Sequence, residues 1–181
     1  MLNEFLVLQM VAVAIPAYVA NAVPVIVAKI LKKRTPIDMG KNFVDGRRIL
    51  GDGKSIEGFI AGVLAGASTY YPAKVVFEAL YLKYLSEIVF NSFFFIVTSI
   101  AALTGDMLGS FIKRRLGIPR GAPLPLVDQL SFIIIALIAD YLIFKINIFS
   151  LEALLLVILT YAFHKLFNFL AFKLGLKNVP W

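Results

Sequence analysis

Residues 3–30 read NEFLVLQMVAVAIPAYVANAVPVIVAKI, a run that is long and apolar enough to cross a lipid bilayer. A membrane-spanning helix needs roughly 20 mostly apolar residues, and the only charged residues of this run, Glu4 and Lys29, lie near its two ends. Pro16 and Pro24 lie inside it, which membrane helices tolerate where neighbouring groups or water satisfy the freed carbonyls. We predict that this run is the first span of an all-α integral membrane protein.

The composition of the whole chain agrees with that class. Of its 181 residues, 60% are hydrophobic and 16% are charged, against roughly 45–50% and 25% in soluble domains. Further apolar runs predict four more spans, at about 55–71, 88–106, 130–149 and 151–174, so that 1–181 is a single membrane domain. The chain begins without the basic start and cleavage site of a signal peptide, so we expect the first span to be retained.

Two smaller patterns predict how these spans are joined and packed. Gly58, Gly62 and Gly66 recur every four residues on one helix face, which indicates close contact with another helix. The segment 72–87 holds two lysine–glutamate pairs at helical spacing, which favours a short amphipathic helix at the membrane interface. The pairs are Lys74–Glu78 and Lys83–Glu87.

The distribution of basic residues predicts the orientation. The loop at 31–54 carries seven Lys and Arg, the loop at 107–129 carries four and the C-terminal tail adds two, while the opposite side carries three. Because cytoplasmic loops are enriched in Lys and Arg, we expect both loops and the C-terminus in the cytoplasm and the N-terminus outside. The location would be the cell membrane, with five spans and the active site facing the cytoplasm.

The first of these loops has the chemistry of an anion site. Its segment 41–58 reads KNFVDGRRILGDGKSIEG; a P-loop is excluded, because Arg48 stands at the leading glycine position and no strand precedes it. Gly51 and Gly53 would let the backbone approach an anion, and Ser55 can cap the second span, whose N-terminus favours phosphate. The basic residues of this segment add positive charge: Lys41, Arg47, Arg48 and Lys54.

The second loop brings two carboxylates to the mouths of adjacent spans. Asp106, Ser110 and Lys113 would share one face if the third span continues as a helix, and prolines stiffen the turn that leads to Asp128. A carboxylate at the membrane edge is costly unless it is paired or bound to metal. Two carboxylates with Lys and Arg between them suit Mg²⁺ and a phosphate substrate. Helix capping and ion pairing with residues 113–115 is an equally good explanation of both aspartates.

These residues also carry a resemblance. Gly105-Asp106, the segment SFIKR at 110–114 and Asp128 resemble the C-terminal signature of the CDP-diacylglycerol synthases, although Pro119-Arg120 replace its Lys-Asp and its His-Gly-Gly is absent. Across the whole chain, three strings in order are similar to the short archaeal relatives, the CDP-archaeol synthases. They are PAYVANAVPV, PIDMGKNFVDGRRILGDGKSIEGFIAG and GDMLGSFIKRRLGIPRGAPLPLVDQL.

The resemblance implies transfer of CMP from CTP to digeranylgeranylglyceryl phosphate, an isoprenoid ether-lipid phosphate, with release of pyrophosphate. Asp106 and Asp128 would hold Mg²⁺ and act as catalytic residues with Lys113, while Lys113 and Arg114 would bind the lipid phosphate. The first loop would close over CTP through nine residues: Lys41, Asn42, Arg47, Arg48, Gly51, Asp52, Gly53, Lys54 and Ser55. The expected partners are these substrates and membrane lipids, with no nucleic acid; the oligomeric state is left open.

Two other functions are alternatives to this one. A CDP-alcohol phosphotransferase needs the pattern D-G-x-x-A-R, which Asp45-Gly46 begin, but Ile49-Leu50 stand in place of Ala-Arg. A small membrane transporter or lipid flippase would carry ionisable residues or broken helices near the midplane. Asp140 and the prolines of the first span fit that pattern, yet the charged residues of the chain are concentrated in the loops.

Overall fold

The computed structural model of the chain describes residues 2–79, 91–176 and 179. Those residues form six α-helices and no named strand. The helices are α1 (Glu4–Ile30), α2 (Ile56–Ser68), α3 (Tyr70–Ala79), α4 (Ser92–Arg115), α5 (Val127–Phe144) and α6 (Leu151–Lys173). Four of them, α1, α4, α5 and α6, are long and apolar enough to cross a membrane. The prediction of an all-helical membrane protein is confirmed.

Helix α1 lies at the centre of the bundle and packs against α2, α4, α5 and α6. It starts where the Asn3 side chain accepts hydrogen bonds from the amides of Phe5 and Leu6, and it continues through both prolines. Its buried face is built mostly of small residues, among them Ala12, Ala17 and Ala20. Small side chains let backbones approach closely, which is how membrane helices associate where the surroundings are already apolar.

The glycine stripe of α2 fills the seam between α1 and α4. A Cβ at Gly62 would lie 2.7 Å from the carbonyl oxygen of Ala20, and one at Gly66 would lie 2.8 Å from the carbonyl oxygen of Pro16. The same two glycines face Leu103 and Ser99 of α4, so α2 runs antiparallel to α4. The predicted close helix contact is confirmed.

Helix α2 ends at Ser68, and after one turn residue the chain continues as α3. Tyr70 at its start packs edge-on against Phe95 of α4, with ring centroids 5.6 Å apart, and Phe77 is buried in the core. The ion pair Lys74–Glu78 forms at 3.8 Å, as its spacing predicts. The second predicted pair, Lys83–Glu87, lies outside the described residues.

Helices α4 and α5 shorten the second loop from both sides. Helix α4 continues to Arg115, nine residues beyond the predicted end of its span, and its last turn carries three basic residues that favour the negative end of the helix dipole. Helix α5 begins at Val127 and ends at Phe144, because Lys145 adopts the left-handed conformation. The non-helical link between the two helices is residues 116–126, which lies within the loop predicted at 107–129.

Close packing and one buried hydrogen bond join α4 to α5. A Cβ at Gly105 would lie 2.4 Å from the carbonyl oxygen of Ser131, so these helices touch at backbone distance. Further along, the Thr98 hydroxyl lies 2.9 and 3.0 Å from the two carboxyl oxygens of Asp140, and both residues are fully buried. This contact gives the polar Asp140 side chain a structural partner inside the bundle.

Candidate active site

The first loop is a compact structure closed by its own backbone. At its base, the Ile56 amide donates to the Thr35 carbonyl at 2.9 Å, and the Ile37 amide donates to the Lys54 carbonyl at 2.8 Å. Nearer the tip, the Phe43 amide donates to the Arg47 carbonyl at 2.8 Å. The polar segment predicted to bind an anion therefore has a defined shape without any regular secondary structure.

The carboxylate of Asp38 lies at the centre of this loop, and its side chain is only 1% exposed. One oxygen accepts from Arg48 Nη2 at 2.6 Å and from the Gly40 amide at 3.2 Å. The other accepts from Arg48 Nε at 3.2 Å and from the amides of Leu50 and Gly51 at 3.0 and 2.8 Å. Burial alone would raise the pKa of Asp38, but the Arg48 guanidinium and these amides hold it well below its usual range.

Arg48 links this centre to the edge of the loop. Its Nη1 lies 2.8 Å from the carboxylate of Asp52, so the guanidinium is held between two carboxylates. Asp52 also faces Arg120 of the second loop, at 3.8 Å. The Asp38, Arg48 and Asp52 side chains form a continuous chain of charges, which we call the carboxylate bracket.

A second arginine fastens the first loop to the end of α4. The Arg115 guanidinium lies over the rings of Phe43 and Phe111, at 4.7 and 5.0 Å from their centroids. It also pairs with the carboxylate of Asp45. In return, Arg47 Nη1 donates to the Arg115 carbonyl at 2.7 Å. The two loops, which the sequence places on the same side of the membrane, are in contact.

The two carboxylates predicted to bind metal are each paired with a lysine. Lys54 Nζ of the first loop is bonded to Asp106 Oδ2 of α4. Lys113 Nζ lies 2.9 Å from both carboxyl oxygens of Asp128, one of which also accepts from the Leu124 amide at 2.8 Å. Among the described residues, no group of three or more His, Cys, Asp or Glu is placed to hold a metal ion.

A polar cleft of about 170 Å³ lies between the first loop, the end of α4 and the second loop. Arg114 and Arg120 line it together with Ser110, and the buried Arg114 Nε has no hydrogen-bond partner in the described part of the chain. Five further lining residues were predicted for CTP or the lipid phosphate: Gly51, Asp52, Gly53, Lys54 and Lys113.

The other residues predicted to contact CTP lie outside the lining of this cleft. Lys41 and Asn42 are exposed near the tip of the first loop, and Arg47 and Arg48 make the contacts described above. Ser55 is 5% exposed, and its hydroxyl accepts from the Gly58 amide at 3.2 Å. Ser55 therefore caps α2, as the sequence predicts.

Sequence reasoning missed Asp38, Arg115 and Arg120 as members of this region. The partners of Arg115 lie 67 to 70 residues away along the chain, so no local spacing reveals them. Near Asp38 the sequence offers only Gly40 as a turn signal. In the structure, Met39 and Gly40 both adopt positive φ and form a tight turn around the carboxylate.

A larger groove of about 560 Å³ lies elsewhere, between the second half of α5 and the first half of α6. Its lining contains Leu137, Ile138, Phe149 and Leu154, with no charged side chain among the described residues. A nucleotide needs cationic or hydrogen-bonding partners for its phosphates, so the smaller polar cleft is the candidate site.

Known proteins resemble this chain over its whole length. A family model described as CarS-like CDP-archaeol synthase matches residues 2–181. The chain belongs to the CDP-archaeol synthase family. The resemblance seen in the sequence is thereby confirmed over its whole length, and the transporter alternative receives no support.

Members of the CDP-archaeol synthase family from several archaea are close in length and sequence. The protein of that name from Pyrobaculum calidifontis is 42% identical over 180 residues, covering 99% of this chain and 100% of its own. The one from Archaeoglobus fulgidus is 41% identical over 180 residues, covering 97% and 98%. A solved structure described as an intramembrane enzyme for archaeal membrane lipids biosynthesis has a TM-score of 0.72 and 36% identity, covering 87% of this chain and 91% of that one.

Proposed function

We propose that this chain transfers CMP from CTP to the phosphate of an unsaturated archaeal ether lipid, digeranylgeranylglyceryl phosphate, and releases pyrophosphate. The observation that carries this proposal is the polar cleft at the end of the bundle, where the glycine turn of the first loop faces the basic end of α4. Family membership supplies the reaction class, and the cleft supplies a site with the required charge.

The reaction brings one phosphate monoester against another phosphate, so catalysis depends on positioning and on neutralising negative charge. Four basic side chains line the cleft against one acidic side chain, Asp52. Arg114 would bind the lipid phosphate, because it lines the cleft and its Nε has no hydrogen-bond partner within the described residues. Lys113 lies one residue away on α4 and would bind the same phosphate.

Asp106 and Asp128 are the residues that would hold Mg²⁺. Each carboxylate is paired with the ammonium group of a lysine, Lys54 and Lys113 respectively, so each faces a cation. With both substrates bound, Lys54 would pair with the CTP phosphates and Lys113 with the lipid phosphate, which would leave the carboxylates free to hold Mg²⁺, an ion that prefers one or two carboxylates together with phosphates and water. Bound Mg²⁺ would neutralise the triphosphate and stabilise the departing pyrophosphate.

The size of the cleft suggests how CTP lies in it. Ligand sites are usually roughly 300 to 1,000 Å³, so a cleft of about 170 Å³ takes the phosphates rather than the whole nucleotide. Gly51, Gly53 and Lys54 would contact the phosphates. The cytidine would lie over the first loop, where Asn42 and Asp52 offer directional hydrogen bonds to the base or ribose.

We also propose that α2 is the fifth span and that the cleft faces the cytoplasm. Helix α2 has 13 residues, about 20 Å at 1.5 Å per residue, which is short of the roughly 30 Å hydrocarbon layer. However, Gly62 and Gly66 of α2 face Leu103 and Ser99 of α4. Tyr70, at the start of α3, packs against Phe95 of α4. The chain thus returns from the loop end of α4 almost to its start, and the excess of Lys and Arg at the loop end favours a cytoplasmic location.

The test is a transfer assay on detergent-solubilised protein. Wild type, Asp106→Asn and a control variant, Glu78→Gln, are incubated with the ether-lipid phosphate and each labelled nucleoside triphosphate, with Mg²⁺ or with EDTA. Within the described part of the chain, Glu78 forms only an exposed helix pair with Lys74. We expect transfer from CTP alone, in wild type and Glu78→Gln, and its loss in Asp106→Asn and in EDTA.

The arms of this assay separate the parts of the proposal. Failure of folded wild type to transfer any nucleotide would refute the function. Full activity of Asp106→Asn would refute the role of that carboxylate while leaving the reaction intact. Activity in EDTA would refute the requirement for a divalent metal.

A further inference from the structure

Asp38 is saturated with hydrogen bonds and lies outside the cleft. An ionised carboxylate has about four acceptor positions, and Asp38 accepts five hydrogen bonds from Arg48, Gly40, Leu50 and Gly51. Its side chain is 1% exposed. It therefore has no capacity left for a metal ion, a proton transfer or a substrate contact, and any effect on the reaction must pass through the groups that it binds.

Arg48 is in a similar position. Its Nε and Nη2 donate to Asp38, and its Nη1 lies 2.8 Å from Asp52. Two carboxylates neutralise this guanidinium, so an incoming phosphate would have to compete with both of them. A bidentate arginine–carboxylate pair fixes geometry as well as charge, which makes Arg48 suited to shaping the loop.

The group that this arrangement shapes is the turn that lines the cleft. The Gly51 amide points back to Asp38, and Gly51 itself has a φ of 92°, a conformation that glycine adopts readily. The next residue, Asp52, is held by Arg48 at the cleft edge. Lys54, two residues after Asp52, reaches Asp106.

We infer that Asp38 is a positioning residue for CTP, acting through Arg48 and the amides of Leu50 and Gly51 to hold the turn 50–54 in the shape that lines the cleft. This inference rests on the proposed function. It assigns Arg48 to the carboxylate bracket instead of to direct phosphate binding, which is a distinction that kinetics can resolve.

The test is a double-mutant cycle with Asp38→Asn, Arg48→Gln and the double variant. Steady-state transfer gives kcat and the KM for each substrate. We expect the KM for CTP to rise roughly tenfold or more in each single variant, the scale for losing a hydrogen bond to a charged group. The KM for the lipid phosphate should change less than about twofold, and the double variant should be no worse than the worse single one, because the residues act as one unit.

Limited trypsin digestion provides a readout that does not depend on turnover. The first loop contains Lys41, Arg47 and Lys54 as cleavage sites, and we expect faster cleavage there in Asp38→Asn than in wild type or in the control Glu78→Gln. The thermal unfolding of the helical bundle should stay unchanged, since Asp38 contacts only the loop.

Three outcomes would overturn the inference. One is an Arg48→Gln effect that is much larger than that of Asp38→Asn and adds to it, since this would make Arg48 a direct ligand. Another is an equal rise in both KM values with a lower unfolding temperature, which would indicate general structural damage. The third is unchanged CTP kinetics and unchanged digestion in an Asp38→Asn protein whose wild type is active. If the wild type itself transfers no CMP, the proposed function fails, and digestion alone still tests whether Asp38 holds the loop.

Discussion

Adding a single carbon to the glycine seam should destabilise the bundle by a measurable amount. In Gly62→Ala, the new methyl carbon would lie 2.7 Å from the Ala20 carbonyl oxygen and 3.0 Å from Leu103 Cδ1. Close carbon–oxygen contacts in proteins are about 3.3 Å or longer, so the overlap is roughly 0.6 Å. Leu103 can rotate away, but Ala20 offers a backbone atom inside α1, and relief requires the two helices to separate.

The expected magnitude follows from two opposing effects. Overpacking costs about 2 kcal/mol in the middle of its usual range, and the better helix propensity of alanine offsets up to about 1 kcal/mol of this. The net loss is about 1–2 kcal/mol, a factor of roughly 5 to 30 in the ratio of folded to unfolded protein. Because α2 carries Ser55 and Lys54 at its start, separating α2 from α1 should also raise the KM for CTP.

The measurement is a reversible SDS titration of the purified protein, followed by circular dichroism. Ser68→Thr is the matched control, since it adds one carbon to the same helix on its exposed face. We expect a lower midpoint for Gly62→Ala and an unchanged midpoint for the control. Equal midpoints for Gly62→Ala and wild type would refute the conclusion that α1 and α2 touch at backbone distance.

Three further results are expected. Arg115→Lys keeps the charge but loses the forked hydrogen bonds and the ring stacking, so tryptic cleavage of the first loop should accelerate and the KM for CTP should rise roughly tenfold; unchanged cleavage would contradict the role of Arg115 in fastening the loop. Because the folded pKa of Asp38 lies below its unfolded value of about 3.9, its stabilisation is complete above that pH and is lost only as pH falls below it. Between pH 5 and 8, the pH dependence of loop digestion should therefore be the same in wild type and in Asp38→Asn. Asp140→Asn keeps a partner for Thr98 and should cost less than about 1 kcal/mol in SDS titration, whereas a large loss would show that the ionised carboxylate is required.

The sequence was sufficient wherever a structural feature depends on local periodicity. Apolar runs predicted the helices, the four-residue spacing of Gly62 and its neighbours predicted a close helix contact, and Ser55 was recognised as a cap because capping involves residues only three apart. Asp106 and Lys113 were predicted to share a helix face only on the condition that the third span continues as a helix. The structure shows that α4 does continue.

The sequence was insufficient wherever a feature depends on partner choice across the chain. Several acidic residues lie near Lys54 in the sequence, but its partner in the folded protein is Asp106, 52 residues away. The same holds for Arg115, whose guanidinium finds Asp45 70 residues earlier. Asp38 belongs to no periodic pattern, and a single loop aspartate is usually a solvated side chain, so its burial could be recognised only from the folded loop.

The unbroken extension of α4 would also set the height of the site relative to the membrane. From Asp106 to Arg115 the helix rises about 13 Å, at 1.5 Å per residue, and every basic group in this stretch is attached to one rigid rod. A lipid phosphate is confined to the narrow layer of headgroups, whereas a nucleotide diffuses freely from water. If the proposed site is correct, helix register fixes the height at which the two reactants meet, and bilayers of different thickness should change the rate by raising or lowering that layer along α4.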